Sequence, residues 1–190
     1  MGMFEYVMVM VSIIIGLALT HLLQGVVEIA QRPRPMRLRS IQLVWVAYML
    51  VTTAFWWWWQ FKLQQLTPVW TFQAYMFVLF FAALLYFLST LLFPKVLDPD
   101  LDLDAFFYDR RGWFFGASAL YFMVDLVDSR MKGAEHFASL GLEYLIVTVA
   151  QVALCLVAMK TRNAVFHWIF GLAALISQFE WAIRHYGVMG

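Results

Sequence analysis

Apolar residues run through this chain in long blocks separated by short polar punctuation. A helix needs about 20 mostly apolar residues to cross the hydrocarbon layer of a membrane. Four blocks reach that length, at roughly 6–27, 69–92, 139–159 and 164–184. A fifth, at roughly 41–61, is helped by its aromatics, which include the run "FWWWWQF". A sixth extends only from Trp113 to Val124 before it meets charge. To reach spanning length it must take in either Arg110 and Arg111 or Asp125 and Asp128. The pattern predicts an all-α, polytopic membrane protein: a single domain over 1–190, built as a compact bundle of six transmembrane helices. Five spans plus a re-entrant segment is the alternative.

Placed on helices, the polar residues inside these blocks fall into stripes. Ser118, Tyr121, Asp125, Asp128 and Lys132 are spaced 3, 4, 3 and 4 apart, which aligns them on one narrow face. Asp128 and Lys132 form an i, i+4 pair, whereas Asp125 must find its partner on another helix. The last span carries His167, Gly171, Ala174, Gln178, Trp181 and His185 on one face, and the one before it Tyr144, Thr148, Gln151 and Cys155. Small and polar residues of this kind let helices approach closely and bond across the contact. The first span carries Ser12, Gly16, Thr20, His21, Gln24 and Glu28.

Composition agrees with the pattern. Of 190 residues, 64% are hydrophobic and 13% charged, and the mean hydropathy is +0.75. Soluble domains carry about 25% charged residues, so this chain has too few to coat a water-facing surface. The opening "MGMFEYV" lacks the basic start of a secretory signal and has Tyr6 where a myristoylation signal has Ser or Thr, so it reads as a retained helix. A net charge of +1 gives no general attraction for nucleic acid. The one cysteine, Cys155, excludes an internal disulfide and any site that needs a cysteine pair.

The basic residues orient the bundle. With six spans, nine of the thirteen lie on one side: the four arginines of the Arg32–Arg39 loop, then Lys95, Arg110, Arg111, Lys160 and Arg162. The positive-inside rule puts that side in the cytoplasm and both termini outside, in a bacterial inner membrane. The Arg32–Arg39 loop would also attract anionic lipid. Trp56 to Trp59, Trp70 and Trp181 then fall at the outer boundary, and Trp45, Trp113 and Trp168 at the inner one. Four successive tryptophans ring a helix instead of lining one face of it, because each residue turns about 100°. The longest loop, "KVLDPDLDLDAFFYDRR", has aspartates at 98, 100, 102 and 104 but lacks the glycine and closing glutamate of a calcium loop.

Ionisable groups within spans are costly and point to function. The outer half holds Glu5, Asp125, Asp128 and Glu143, with His185 nearby; Glu180 has Arg184 at i+4. The inner half holds His21, His167, Gln24 and Glu28. Carboxylates at an outer mouth concentrate cations, and chains of Asp, Glu and His relay protons. The leading expectation is a cation or proton channel or transporter, with an outer carboxylate cluster, assembled as a homo-oligomer. One alternative is a b-type haem protein using His21 and His167 as axial ligands. Another is an accessory subunit that docks through its small-residue stripes. Neither a GxSxG nor an HExxH motif nor a phosphate-binding glycine loop is present, so an enzyme is not indicated.

Overall fold

The computed structural model describes residues 3–31, 41–60, 71–94 and 102–186. Among them the chain forms seven helices: α1 (Met3–Ala30), α2 (Ile41–Gln60), α3 (Phe72–Thr90), α4 (Leu103–Met131), α5 (Ala134–Ser139), α6 (Gly141–Lys160) and α7 (Ala164–Tyr186). Short polar side chains start three of them, accepting amide hydrogens that would otherwise lack a partner. Thr71 caps α3 through Ala74, and Asn163 caps α7 through Val165 and Phe166. Asp102 caps α4 through Asp104 and Ala105. Asp104 also accepts a bond from the amide of Ile41, at the start of α2, at 3.2 Å. Half of the alternating aspartates in the long loop thus serve as helix caps or ties; Asp98 and Asp100 lie outside the described residues.

Helices α1, α2, α3, α6 and α7 are long and apolar enough to cross a membrane. Helix α4 is not, because it carries charge at both ends. Instead of taking in either its arginines or its aspartates, it takes in both, in 29 unbroken residues. It packs antiparallel along α6. Asp109 faces Arg162 at 3.9 Å, Met159 lies against Gly116, and Ser129 bonds Tyr144 at 3.0 Å. Asp109 and Ser129 are about 30 Å apart along a helix rising 1.5 Å per residue.

Long helices consecutive in the chain alternate in direction, so α1 and α3 run parallel, as do α2 and α7. At one end, called the arginine end, the amide of Gln42 (α2) donates to the carbonyl of Leu92 after α3, and Trp45 (α2) packs on Phe170 (α7) at 5.1 Å. At the other, the aspartate end, Gln178 (α7) donates to Thr52 (α2) at 2.5 Å, and Trp59 (α2) lies 6.0 Å from His136 (α5). Three pairs pack most extensively: α1 with α3, α2 with α7 and α4 with α6. Helix α2 also touches α1, α3 and α4, so it lies at the centre. Of its spanning stretch 56% is buried, against 17% for α6 at the edge.

That central position buries Trp45 within the bundle. Its ring meets Phe114, Phe115 and Phe170 edge-on at 4.9–5.6 Å, the geometry that ring quadrupoles favour. The tryptophan run divides as its helical spacing requires. Trp56 is buried against Phe81, Trp57 and Trp58 face outward, and Trp59 lies between these extremes. The outward faces of α1, α6 and α7 present Ile13, Leu17, Ile146, Val149, Ile169 and Ile183, as lipid contact demands.

Close approach of α2 and α7 depends on Gly171. A Cβ there would lie 2.7 Å from Val44 Cγ1 and 3.4 Å from the Trp45 ring, and branched Val44 has little freedom to move. Gly171→Val is expected to destabilise the protein by about 1–3 kcal/mol, the usual range for overpacking. Gly16→Ala, which meets nothing within 4 Å, should leave stability unchanged or slightly raised. Thermal unfolding of the two variants in detergent checks the contrast.

Candidate functional site

Three of the polar stripes meet in one cavity. From α4 come Tyr121, Asp125 and Ser129; from α6 come Tyr144, Thr148 and Gln151; from α7 come Ala174, Gln178 and Trp181. Helix α2 adds a fourth set, Tyr48, Thr52, Phe55, Trp56 and Trp59, and α5 lays His136 over the aspartate end. The space measures about 170 Å³. Of the helix contacts that wall it, the seam between α6 and α7 is the sparsest.

Asp125 is the acid of this cavity. It is half-buried, and its one hydrogen bond comes from the phenol of Tyr144 on α6 at 2.7 Å. Tyr144 in turn is 3.0 Å from the Ser129 hydroxyl, so one tyrosine links two turns of α4 to α6. Opposite them, Gln178 Nε2 donates to Thr52 Oγ1, while Thr52 donates to the Tyr48 carbonyl one turn back. The carbonyl oxygens of Gln178 and Gln151 are buried and accept no hydrogen bond. Buried polar atoms of native proteins seldom lack partners, so two such acceptors lining the same cavity as a carboxylate point to a ligand or water site.

Asp128, one turn further along, is satisfied differently. It is buried and forms an ion pair with Lys132 at 2.5 Å. Lys132 is buried too, with its ammonium 5.8 Å from the Trp59 ring. That pair is closed on itself. Among the described residues no ion pair reaches Asp125, so its charge is left for the cavity.

Beyond Tyr48 the space closes. Trp45, Phe114, Phe115 and Phe170 fill the bundle on the arginine-end side of the cavity with interlocking rings. Phe107 and His167 continue the packing towards the arginine end. The cavity is therefore closed towards the arginine end.

No known family model, curated protein or solved structure matches the chain.

The remaining candidate residues lie elsewhere. Glu5 is exposed on α1, which contributes no lining residue. Glu143 is exposed at the start of α6 and receives a forked pair of bonds from Arg184 at 2.8 and 3.2 Å. Arg184 also meets Glu180 at 3.2 Å, bridging the α6–α7 seam. Asp125 thus sits in the cavity without Glu5 or Glu143, and among the described residues no three His, Cys, Asp or Glu side chains are grouped to hold a metal. Residue 185 falls in the last turn of α7, but the side chain of His185 lies outside the described residues, as does the Arg32–Arg39 loop.

Gln24 and Glu28 line a shallow groove on exposed α1. His21 is half-buried and meets Phe93 edge-on at 6.4 Å. His167 is fully buried, with Nε2 3.1 Å from the Thr161 carbonyl and Phe107, Tyr108, Phe115 and Phe166 around its ring. The helices that carry the two histidines share little contact. A haem between them would have to displace the aromatic rings packed on His167, so the residues present do not fit that group.

The α2 contribution escaped the sequence reading. Its signal was present: Tyr48, Thr52, Phe55 and Trp59 are spaced 4, 3 and 4, the same rhythm as the other stripes.

Removing Lys132 tests the closed pair. Lys132→Met leaves Asp128 buried without its partner and should cost about 3–5 kcal/mol. Replacing both groups, as Asp128→Leu with Lys132→Met, should restore most of that loss. Unfolding in detergent, read as a double-mutant cycle, checks both values.

Proposed function

We propose that this chain is a six-span integral membrane protein that takes a small cation into the Asp125 cavity and carries it across the bilayer. The observation that supports this most directly is Asp125 itself: a carboxyl group inside an apolar bundle, lining a cavity, with a tyrosine hydroxyl but, among the described residues, no cationic side chain as its partner. A charge in such a place is expensive, and a bound cation offsets the expense.

The sixth span in this reading is α4. Its packing along a helix of spanning length for about 30 Å, with charge confined to its two ends, supports it. Six spans give both termini one side, and the basic loops argue for the side opposite them. Ring packing between the cavity and the arginine end favours a carrier that alternates between states over an open pore. The cavity belongs to a single chain, so this reading does not require an oligomer.

Two measurements test it. Reporter fusions at the two termini should give the same side of the membrane; opposite sides would remove α4 as a span. Purified protein in proteoliposomes should carry protons or small cations, and Asp125→Asn should reduce the flux to that of empty vesicles. Flux that survives Asp125→Asn unchanged would exclude the cavity from the pathway.

A further inference from the structure

We infer that the ligand of the cavity is an organic ammonium ion: a protonated primary amine on a flat apolar body about the size of one aromatic ring. The inference rests on the cation-binding reading of the cavity and narrows it to one chemical class.

The donor count comes first. A primary ammonium has three N–H donors and no acceptor. The cavity offers a carboxylate with one hydrogen bond and two buried carbonyl oxygens with none, on Gln151 and Gln178. These acceptors come from three different helices that line the same cavity, and their number matches the three donors of an ammonium head. Hard divalent ions ask for more: calcium takes six to eight oxygen ligands, and magnesium six in strict octahedral geometry, several of them usually waters that need room of their own. Among the described residues Asp125 is the only carboxylate lining this space.

The walls come second. Aromatic rings reach the cavity from α2, α4, α6 and α7, with Trp56, Trp59, Tyr121 and Trp181 among them. Ring faces attract cations and pack well on flat apolar bodies. An inorganic ion, tightly hydrated, uses neither property. Within this molecule Lys132 already shows the same recognition: its ammonium lies between the Asp128 carboxylate and the Trp59 ring. Because that ammonium is held by Asp128, it does not take the place of a ligand at Asp125.

Size comes third. The space is about 170 Å³. A dry cavity of about 150 Å³ in another protein accommodates benzene, so this one suits a single ring with a short aminoalkyl arm. Larger cations would have to part the α6–α7 seam.

The test uses the full-length protein in detergent, with 2-phenylethylammonium as the probe and 2-phenylethanol as its neutral counterpart. Tryptophan fluorescence and thermal stabilisation report binding. The amine should bind at least tenfold more tightly than the alcohol, and Asp125→Asn should erase that preference. Gln178→Leu should weaken amine binding severalfold, while Glu28→Gln, a like change at the opposite end of the bundle, should leave it unchanged. Should Asp125→Asn fail to fold, the amine-to-alcohol ratio in the wild type and the loss in Gln151→Leu still decide the matter. Equal binding of amine and alcohol, or no binding of either, overturns the inference. If Asp125-dependent flux of protons or sodium is then still observed, the carrier reading stands and only the ligand class falls. Amine binding without any flux leaves the ligand class standing and removes the carrier reading.

Discussion

Two carboxyl groups one turn apart on a single helix, in a bundle with little water to offer them, set the terms for this fold. Each must be satisfied from within the protein. Asp128 is satisfied along its own helix by Lys132, which costs no tertiary design beyond the burial of the pair. Asp125 reaches across to Tyr144, and that bond fixes the rotation and register of α6 against α4. The turn between the two helices fits the same requirement. Gly133 (φ 114°) and Gly141 (φ 72°) adopt left-handed backbone that other residues avoid, and they bracket the short α5. The chain can thus reverse within ten residues and deliver Tyr144 beside Ser129 and Asp125.

The rest of the bundle divides around that contact. Helices α1 and α3 pack on each other and on α2, and supply no wall to the cavity. Their contribution is the apolar core of Leu22, Leu85, Leu88 and Phe81. Helices α2, α4, α6 and α7 are polar along their facing stripes near the aspartate end and aromatic towards the arginine end. One set of helices therefore makes both an open polar chamber and, one turn away, a sealed ring cluster. The transition occurs at Tyr48, whose ring packs on Trp45 on one side and borders the chamber on the other.

Much of the helical layout is legible in the sequence because apolar length is a local property. The five apolar helices coincide closely with the blocks read from hydropathy. The fate of α4 was less legible, since its composition alone does not separate a crossing from a dip; its long seam with α6 is tertiary information. Spacing placed Asp125, Tyr144, Gln151 and Gln178 on stripes, but it does not say which stripes face each other. Depth alone suggested grouping Glu5 and Glu143 with Asp125. Around a bundle, however, residues at equal depth can face opposite ways, and Glu143 turns outward to Arg184. The same reasoning separates His21 from His167. The share of α2 was hidden for another reason: its tryptophans read most simply as an interfacial belt, which hid that Trp59 and Trp56 also turn inward.

Helix α4 has one more consequence, for how the chain is made. During synthesis α4 emerges before α6, the helix that carries the hydroxyl for Asp125. An aspartate near the centre of a nascent span disfavours release into lipid by about 2.5–3.5 kcal/mol, less near the ends. A crossing α4 would then have to wait at the insertion machinery, or at the headgroup layer, until α6 arrives and the two enter as a hairpin. Its first stable position in the bilayer would be a joint property of two segments, in contrast to helices such as α1, whose hydrophobicity alone suffices.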